Sequence, residues 1–129
     1  MKEIVLDSNV FIASLAKGDP NHQEAMRVIH EMESGKIRGF LPRLVPVEVC
    51  GAIARIFGRK YAKKARKLLT LWRKERKIKL FDLDKKQQEL AEEIAIKNRL
   101  KGADAIIIAL SKGLNVDLVT FDKELTRIR

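Results

Sequence analysis

The chain has 129 residues, 46% of them hydrophobic and 34% charged, which suits one domain over residues 1–129 and leaves too little chain for two separate cores. This balance of apolar and charged residues excludes an intrinsically disordered chain. No apolar run approaches the roughly 18 residues that a membrane span needs, and the single cysteine, Cys50, excludes an internal disulfide. We therefore expect a soluble, cytoplasmic protein with no membrane partner.

The first part of the chain predicts two strands and two helices. Residues 3–6 form a short, continuous β-branched run, which is typical of a central strand of a parallel sheet. Helices are predicted over about 9–16 and 21–34, and a second strand near 37–41. We expect Ser8 or Asn9 to cap the first helix.

A helix of about 46–57 follows, because Pro46 favours the first helical position and would place Glu48 in the first turn. The residues at helical spacing that should line its core face are Val49, Ile53, Ile56 and Phe57.

The net charge of +10 is concentrated in the next segment. Between Arg59 and Lys79 there are eleven Lys or Arg residues and only Glu75 opposing them, whereas the rest of the chain has sixteen charges of each sign. Apolar residues over 59–76 recur at helical spacing, so the segment predicts an amphipathic basic helix on which Tyr61 and Trp72 pack. Its basic face indicates either contact with RNA, for which Lys63, Lys64 and Lys67 are the candidates, or a solvated surface.

The remaining chain predicts a strand at 78–81, a helix over 85–99, a very apolar helix from Gly102, a strand near 116–120 and a short helical tail. Strands alternating with helices predict a three-layer α/β/α fold with a mainly parallel central sheet of four strands, or five.

Four acidic residues are the candidate site. Asp7 and Asp122 follow two separate strands, whose carboxyl ends form the ligand crevice of an open parallel sheet. Glu48 and Asp104 fall near helix starts, although spacing alone does not bring Asp104 to the same edge. Each of these acids could instead cap a helix or oppose its dipole. Asp7 and Asp104 adjoin apolar runs, where a charge must be paired or bound to a metal.

Carboxylates that converge would repel one another unless a cation neutralised them. Oxygen ligands without Cys or His suit Mg²⁺ or Mn²⁺ rather than zinc. The four acids therefore predict a hard cation and an anionic ligand, but not the identity of that ligand.

Four segments resemble the PIN-domain family, and in particular VapC-like toxin ribonucleases. They are Val5-Leu6-Asp7-Ser8-Asn9-Val10-Phe11-Ile12, Pro46-Val47-Glu48-Val49, Lys101-Gly102-Ala103-Asp104-Ala105-Ile106-Ile107 and Leu118-Val119-Thr120-Phe121-Asp122-Lys123-Glu124-Leu125. The resemblance implies a parallel sheet ringed by helices and metal held by carboxylates at Asp7, Glu48, Asp104 and Asp122. It also implies hydrolysis of RNA phosphodiester bonds.

By the same resemblance Ser8, Asn9 and Thr120 would support the carboxylates or contact substrate. The expected partners are RNA, a small antitoxin protein and a second copy of the chain in a homodimer. The chain ends seven residues after Asp122, where similar proteins commonly continue into another strand. The alternatives are an RNA-processing nuclease without an antitoxin and a non-catalytic RNA-binding module.

Overall fold

The computed structural model describes residues 1–128 and contains one parallel sheet with the strand order β3-β2-β1-β4. The strands are β1 (Lys2–Leu6), β2 (Ile37–Pro42), β3 (Ile78–Phe81) and β4 (Leu118–Val119). The helices are α1 (Ser8–Leu15), α2 (His22–Glu33), α3 (Leu44–Phe57), α4 (Arg59–Lys74), α5 (Lys85–Asn98), α6 (Gly102–Leu114) and α7 (Lys123–Thr126). Helices flank the sheet, so the predicted three-layer α/β/α fold is confirmed.

The centre of the sheet is fully buried at β1. Val5 and Leu6 of β1 are fully buried, and Val5 pairs with Phe40 of β2 on one side and Leu118 of β4 on the other. Gly39 of β2 lies so close to the Leu6 side chain that a Cβ there would approach Leu6 Cδ1 to 2.9 Å. A side chain at position 39 would therefore displace Leu6, the last residue of β1 before Asp7.

The predicted helix at 46–57 starts earlier than expected. It begins at Leu44, so Pro46 is not at its first position and Glu48 lies beyond its first turn. Proline is still tolerated there because the first four N–H groups of a helix have no partner within it. The Glu48 side chain is therefore placed by the helix body, and not by a capping role.

Of the four residues predicted to line the core face of α3, two are buried and two are exposed. Val49 and Ile53 are buried, but Ile56 is 57% exposed and Phe57 43% exposed. The reason is tertiary: the end of α3 packs on α4, and this contact covers only one side of the helix. A large apolar surface is left in solvent where the two helices join.

The prediction that the aromatic residues of α4 pack is confirmed for one residue and wrong for the other. Trp72 is buried, and its ring centroid lies 6.0 Å from that of Phe11 in α1, as expected for a core residue. Tyr61, on the same apolar stripe but in the first turn of α4, is 54% exposed.

Helix α6 and strand β4 have different boundaries from those predicted. Helix α6 continues through Leu114 and ends at Asn115, whose left-handed φ of 54° stops it, and β4 is limited to two residues. Strand β4 lies at one edge of the sheet described for residues 1–128. No helix within residues 1–128 has the length and apolar character required to cross a membrane.

Candidate metal centre

Asp7 stands at the point where β1 leaves the sheet. Its N–H donates to the carbonyl of Val119 in β4 (3.1 Å), so the carboxyl ends of the two neighbouring strands are joined directly below the aspartate. The residue is only 8% exposed. A charge at this depth requires compensating partners.

Several donors hold the Asp7 carboxylate. Oδ1 accepts from the Ser8 N–H (2.7 Å), and Oδ2 accepts from the Thr120 hydroxyl (2.7 Å) and, more weakly, from Asn9 Nδ2 (3.4 Å). Asp7 is thus the N-cap of α1. The prediction that Ser8 or Asn9 caps this helix was wrong, because the buried carboxylate reaches the first N–H itself.

Thr120 and Asn9 connect the two strand ends a second time. Asn9 Nδ2 donates to the Thr120 hydroxyl oxygen (3.1 Å), and Asn9 Oδ1 accepts from the Phe121 N–H (3.2 Å). The same hydroxyl oxygen accepts from the Asp122 N–H (3.1 Å). The residues expected to support the carboxylates therefore form one network that orients Asp7 and the backbone of Asp122.

Glu48 and Asp104 complete the group. Burial raises the pKa of the half-buried Glu48 above its ordinary value, and the negative charges of Asp7 and then Asp104 raise it further, while the Ser8 hydroxyl opposes them. The pKa of Asp104 is raised by burial, then by the charges of Asp7 and Asp122. These charge effects connect Glu48 and Asp104 to each other and to Asp7, and Asp104 to Asp122, so the four predicted acids lie within electrostatic range of a shared neighbour.

Asp122 has a local role as well. Its Oδ1 accepts from the Glu124 N–H (2.9 Å), so it caps α7, as the simpler interpretation of the sequence allowed. Its charge nevertheless acts on Asp104. Asp122 thus both caps a helix and belongs to the acidic group.

Lys101 is a neighbour that the sequence interpretation did not consider. Its charge lowers the pKa of Asp104, against the other influences on that group. Its position three residues before Asp104, at the N-cap of α6, was the available signal. Lys101, at the start of α6, thus offsets part of the negative charge of the four acids.

The acidic group is otherwise uncompensated. Within residues 1–128, none of its four carboxylates forms a salt bridge, and no three His, Cys, Asp or Glu side chains converge closely enough to coordinate one ion. The donor set still fits a hard cation, because it offers only carboxylate oxygens in a partly desolvated setting where they repel one another. An ion at this group would relieve that repulsion.

The three candidate RNA-binding lysines are all exposed on α4, but they occupy two faces. Lys63 and Lys67 line one groove with Leu71, and Lys64 lines another with Tyr61. A ligand following the basic helix would therefore meet them as two separate sets.

Replacing Thr120 with Val should destabilise the fold by about 1–3 kcal/mol, because the buried Asp7 carboxylate loses its shortest side-chain donor without a change of side-chain volume. Urea unfolding measures the loss. The matched control is Thr70→Val, which removes an exposed hydroxyl that donates within α4. Equal losses in the two variants would show that the network does not stabilise the strand ends.

Asp104→Asn should raise the melting temperature at neutral pH by about 2 °C in chelator, since the exchange removes a repelled charge that solvent partly screens. The sign follows from the raised pKa: the folded state holds protons on Asp104 and Glu48 more tightly than the unfolded state. Wild-type stability from these groups is therefore present at low pH and declines as the pH rises through their folded pKa values.

Melting curves between about pH 4 and pH 7 test this, because the advantage of the variant should grow with pH. The control Asp117→Asn changes an exposed carboxylate at the opposite end of β4, which within residues 1–128 forms one exposed salt bridge, to Lys2. A constant difference between Asp104→Asn and wild type at every pH would contradict the repulsion.

Solved structures of 14–18% identity share this fold. VapC20 of Mycobacterium tuberculosis, described as a sarcin-ricin loop cleaving toxin, superposes with a TM-score of 0.78 at 18% identity and covers 96% of this chain and 93% of its own. VapBC2 of Rickettsia felis, bound to a promoter DNA fragment, gives a TM-score of 0.71 at 14% identity, with 98% and 92% covered. A toxin–antitoxin complex from Klebsiella pneumoniae gives 0.68 at 18% identity, with 97% and 92% covered.

No match to a curated protein was found. The family model of the PIN domain matches residues 4–129, which include the four carboxylates and all of the sheet except the first two residues of β1. The resemblance inferred from the sequence motifs is confirmed: the chain belongs to the PIN-domain family.

Proposed function

We propose that the chain is a Mg²⁺- or Mn²⁺-dependent endoribonuclease and acts as the toxin of a toxin–antitoxin pair. The observation that carries the proposal is the acidic group at the carboxyl edge of the sheet. The charges of Asp7 and Asp104 raise the pKa of Glu48, and those of Asp7 and Asp122 raise the pKa of Asp104. None of the four carboxylates has a salt-bridge partner within residues 1–128. This arrangement favours a divalent cation and, through it, a phosphate ligand.

Asp7 and Asp104 are the proposed principal ligands. Asp7 is held rigidly by Ser8 and Thr120, and Asp104 projects from the first turn of α6. Glu48 and Asp122 would complete the site or hold a second ion. The raised pKa of Glu48 and Asp104 makes their carboxylates more basic, which strengthens binding of a hard cation.

A bound Mg²⁺ or Mn²⁺ would supply Lewis-acid stabilisation of the charge that develops on a phosphodiester during hydrolysis by water. The chain supplies orientation. The hydrogen bonds from Ser8 N–H and the Thr120 hydroxyl restrict the Asp7 carboxylate, and Asn9 holds the loop after β4 by accepting from Phe121. This pre-arranged support reduces the reorganisation needed when substrate binds.

The charge distribution supports a nucleic-acid substrate. The basic excess lies on α4 and the segment after it, and the exposed Lys63, Lys64 and Lys67 are candidates for phosphate contacts. A polyanion is favoured over a small acidic metabolite because the positive charge extends along a whole helix. RNA is the proposed polymer because the fold is shared with a toxin described as cleaving the sarcin-ricin loop.

The toxin assignment and its partners follow the same comparison. Structures with this fold include toxin–antitoxin complexes, so we propose a small antitoxin protein as a partner, a homodimer as the assembly and the cytoplasm as the site of action. An RNA-processing nuclease without an antitoxin is the competing function. It would use the same carboxylates.

Wild-type protein should cleave a mixed RNA pool when Mg²⁺ or Mn²⁺ is added and should be inactive in chelator. Asp104→Asn should lower the cleavage rate by at least ~100-fold, since a metal ligand supplies several kcal/mol of transition-state stabilisation. Gel electrophoresis of end-labelled RNA measures the rate.

Asp117→Asn is the control and should retain full activity. RNA binding without cleavage by wild type under both metals would favour the non-catalytic binding module. Cleavage that persists in chelator, or in Asp104→Asn, would overturn the metal-site assignment.

Induced expression of wild type in a bacterial host should stop growth, because a toxin ribonuclease depletes RNA that the cell needs. Expression of Asp104→Asn at the same level should leave growth unchanged. Colony counts after induction, with immunoblots for expression, measure the difference. Continued growth with a wild-type protein that cleaves RNA in vitro would support the RNA-processing alternative instead.

A further inference from the structure

Two aromatic rings are exposed where α3 joins α4. Phe57, the last residue of α3, is 43% exposed, and Tyr61, in the first turn of α4, is 54% exposed. The ring centroids lie 6.3 Å apart in an edge-to-face arrangement. Gly58 makes the tight connection between them with a φ of 98°. Neighbouring aromatic rings left in solvent indicate a binding surface.

The rings border a groove of about 520 Å³ between the end of α1 and the α3–α4 hairpin. Its walls are mainly apolar and include Leu15, Ile53 and Leu68, while Lys17 and Lys64 supply its charges. Among residues 1–128, no acidic side chain lines it. The groove therefore combines apolar contact with positive charge, which favours an anionic ligand over a cationic one.

The positive charge lies directly beside the rings. The Lys64 ammonium stands 5.5 Å from the centroid of the Tyr61 ring, and Arg59 and Lys60 follow Gly58. Helix α4 contains no acidic residue. A cation over an exposed ring contributes only about 0.5–1 kcal/mol, so Lys64 is free to move to an anionic group of a ligand.

Two helices lead from the acidic group to this groove. Asp7 caps α1, which ends at Leu15, and Glu48 lies nine residues before Phe57 on α3. With about 1.5 Å of rise per residue, Glu48 and Phe57 are about 13 Å apart along the helix. A single strand of a few nucleotides spans this distance, so one RNA chain could reach both places.

We propose that Phe57 and Tyr61 form a stacking site for an unpaired base of the RNA substrate, with Lys17 and Lys64 neutralising the adjoining phosphates. The proposal rests on the proposed function, because it assigns a second contact to the same RNA. Stacking on an aromatic side chain is how proteins commonly hold unpaired bases. The site would select single-stranded RNA over duplex, whose bases are already stacked on one another.

An acidic amphipathic helix of a partner protein is the other ligand that such a groove could accept. The aromatic pair favours a nucleotide because flat rings beside ammonium groups match the alternation of base and phosphate along a strand. The route from the acidic group along α1 and α3 favours the substrate as well. We therefore treat the peptide as an outcome of the test.

The test measures binding of a labelled, single-stranded RNA about eight nucleotides long by fluorescence anisotropy, in chelator so that cleavage is prevented. Tyr61→Leu should weaken binding roughly 10-fold, because a base–aromatic stack contributes about 1–3 kcal/mol. Tyr61→Phe keeps the ring and should bind as wild type does. Affinity for a duplex of the same sequence should be equal in all three proteins.

Ile96→Ala is the matched control, since Ile96 is an exposed apolar residue of α5 away from the groove. Equal affinity of wild type and Tyr61→Leu for the single strand overturns the proposal. So does a synthetic acidic amphipathic peptide that binds wild type but not Tyr61→Leu while RNA binding is unchanged; this result would assign the groove to a protein partner.

The two proposals fail in different ways. Ring-dependent binding of single-stranded RNA by a protein that never cleaves it would contradict the ribonuclease function and leave the stacking site standing. Metal-dependent cleavage with no dependence of binding on Tyr61 would contradict the stacking site alone.

Discussion

The hydrogen bonds that hold the buried Asp7 carboxylate are the interaction on which the candidate site depends. They connect the end of β1 to Thr120, just beyond β4, and to the first turn of α1 at Ser8. Because Asp7 also donates its N–H to Val119, the two strand ends are joined through both backbone and side chain. The fold and the site thus share one set of contacts. A substitution at the site therefore also alters the contacts that join β1 to β4.

The same arrangement carries an electrostatic cost. Asp7 is satisfied by hydrogen bonds, but its charge raises the pKa of Glu48 and Asp104, which occupy two separate helices. Lys101 offsets only part of this at Asp104. Natural proteins retain such destabilising groups where function requires them. A divalent cation would convert the repulsion into binding energy, so the cost is consistent with a metal site.

Positive charge and exposed rings lie on a different part of the molecule, the α3–α4 hairpin. The acidic group would bind a cation and, through it, one phosphate, whereas the hairpin offers Tyr61 and Lys64 to the rest of a polymer. Separating the two functions keeps the lysines away from the carboxylates, with which they would otherwise pair. The basic helix can therefore attract an anionic polymer without neutralising the proposed metal site.

The sequence by itself determined the order of strands and helices, since short β-branched runs and helical spacing depend only on neighbouring residues. It also placed Asp7 directly after β1 and Asp122 shortly after β4. Only the tertiary structure brought Asp104 near Asp7 and Asp122. Asp104 lies on α6, which follows α5, and no local sequence pattern determines the angle at which these two helices pack. Tertiary packing likewise decided that Phe57 and Tyr61 are exposed. The periodicity of apolar residues predicts which face of a helix is apolar, but it does not predict how much of that face another helix or the sheet covers.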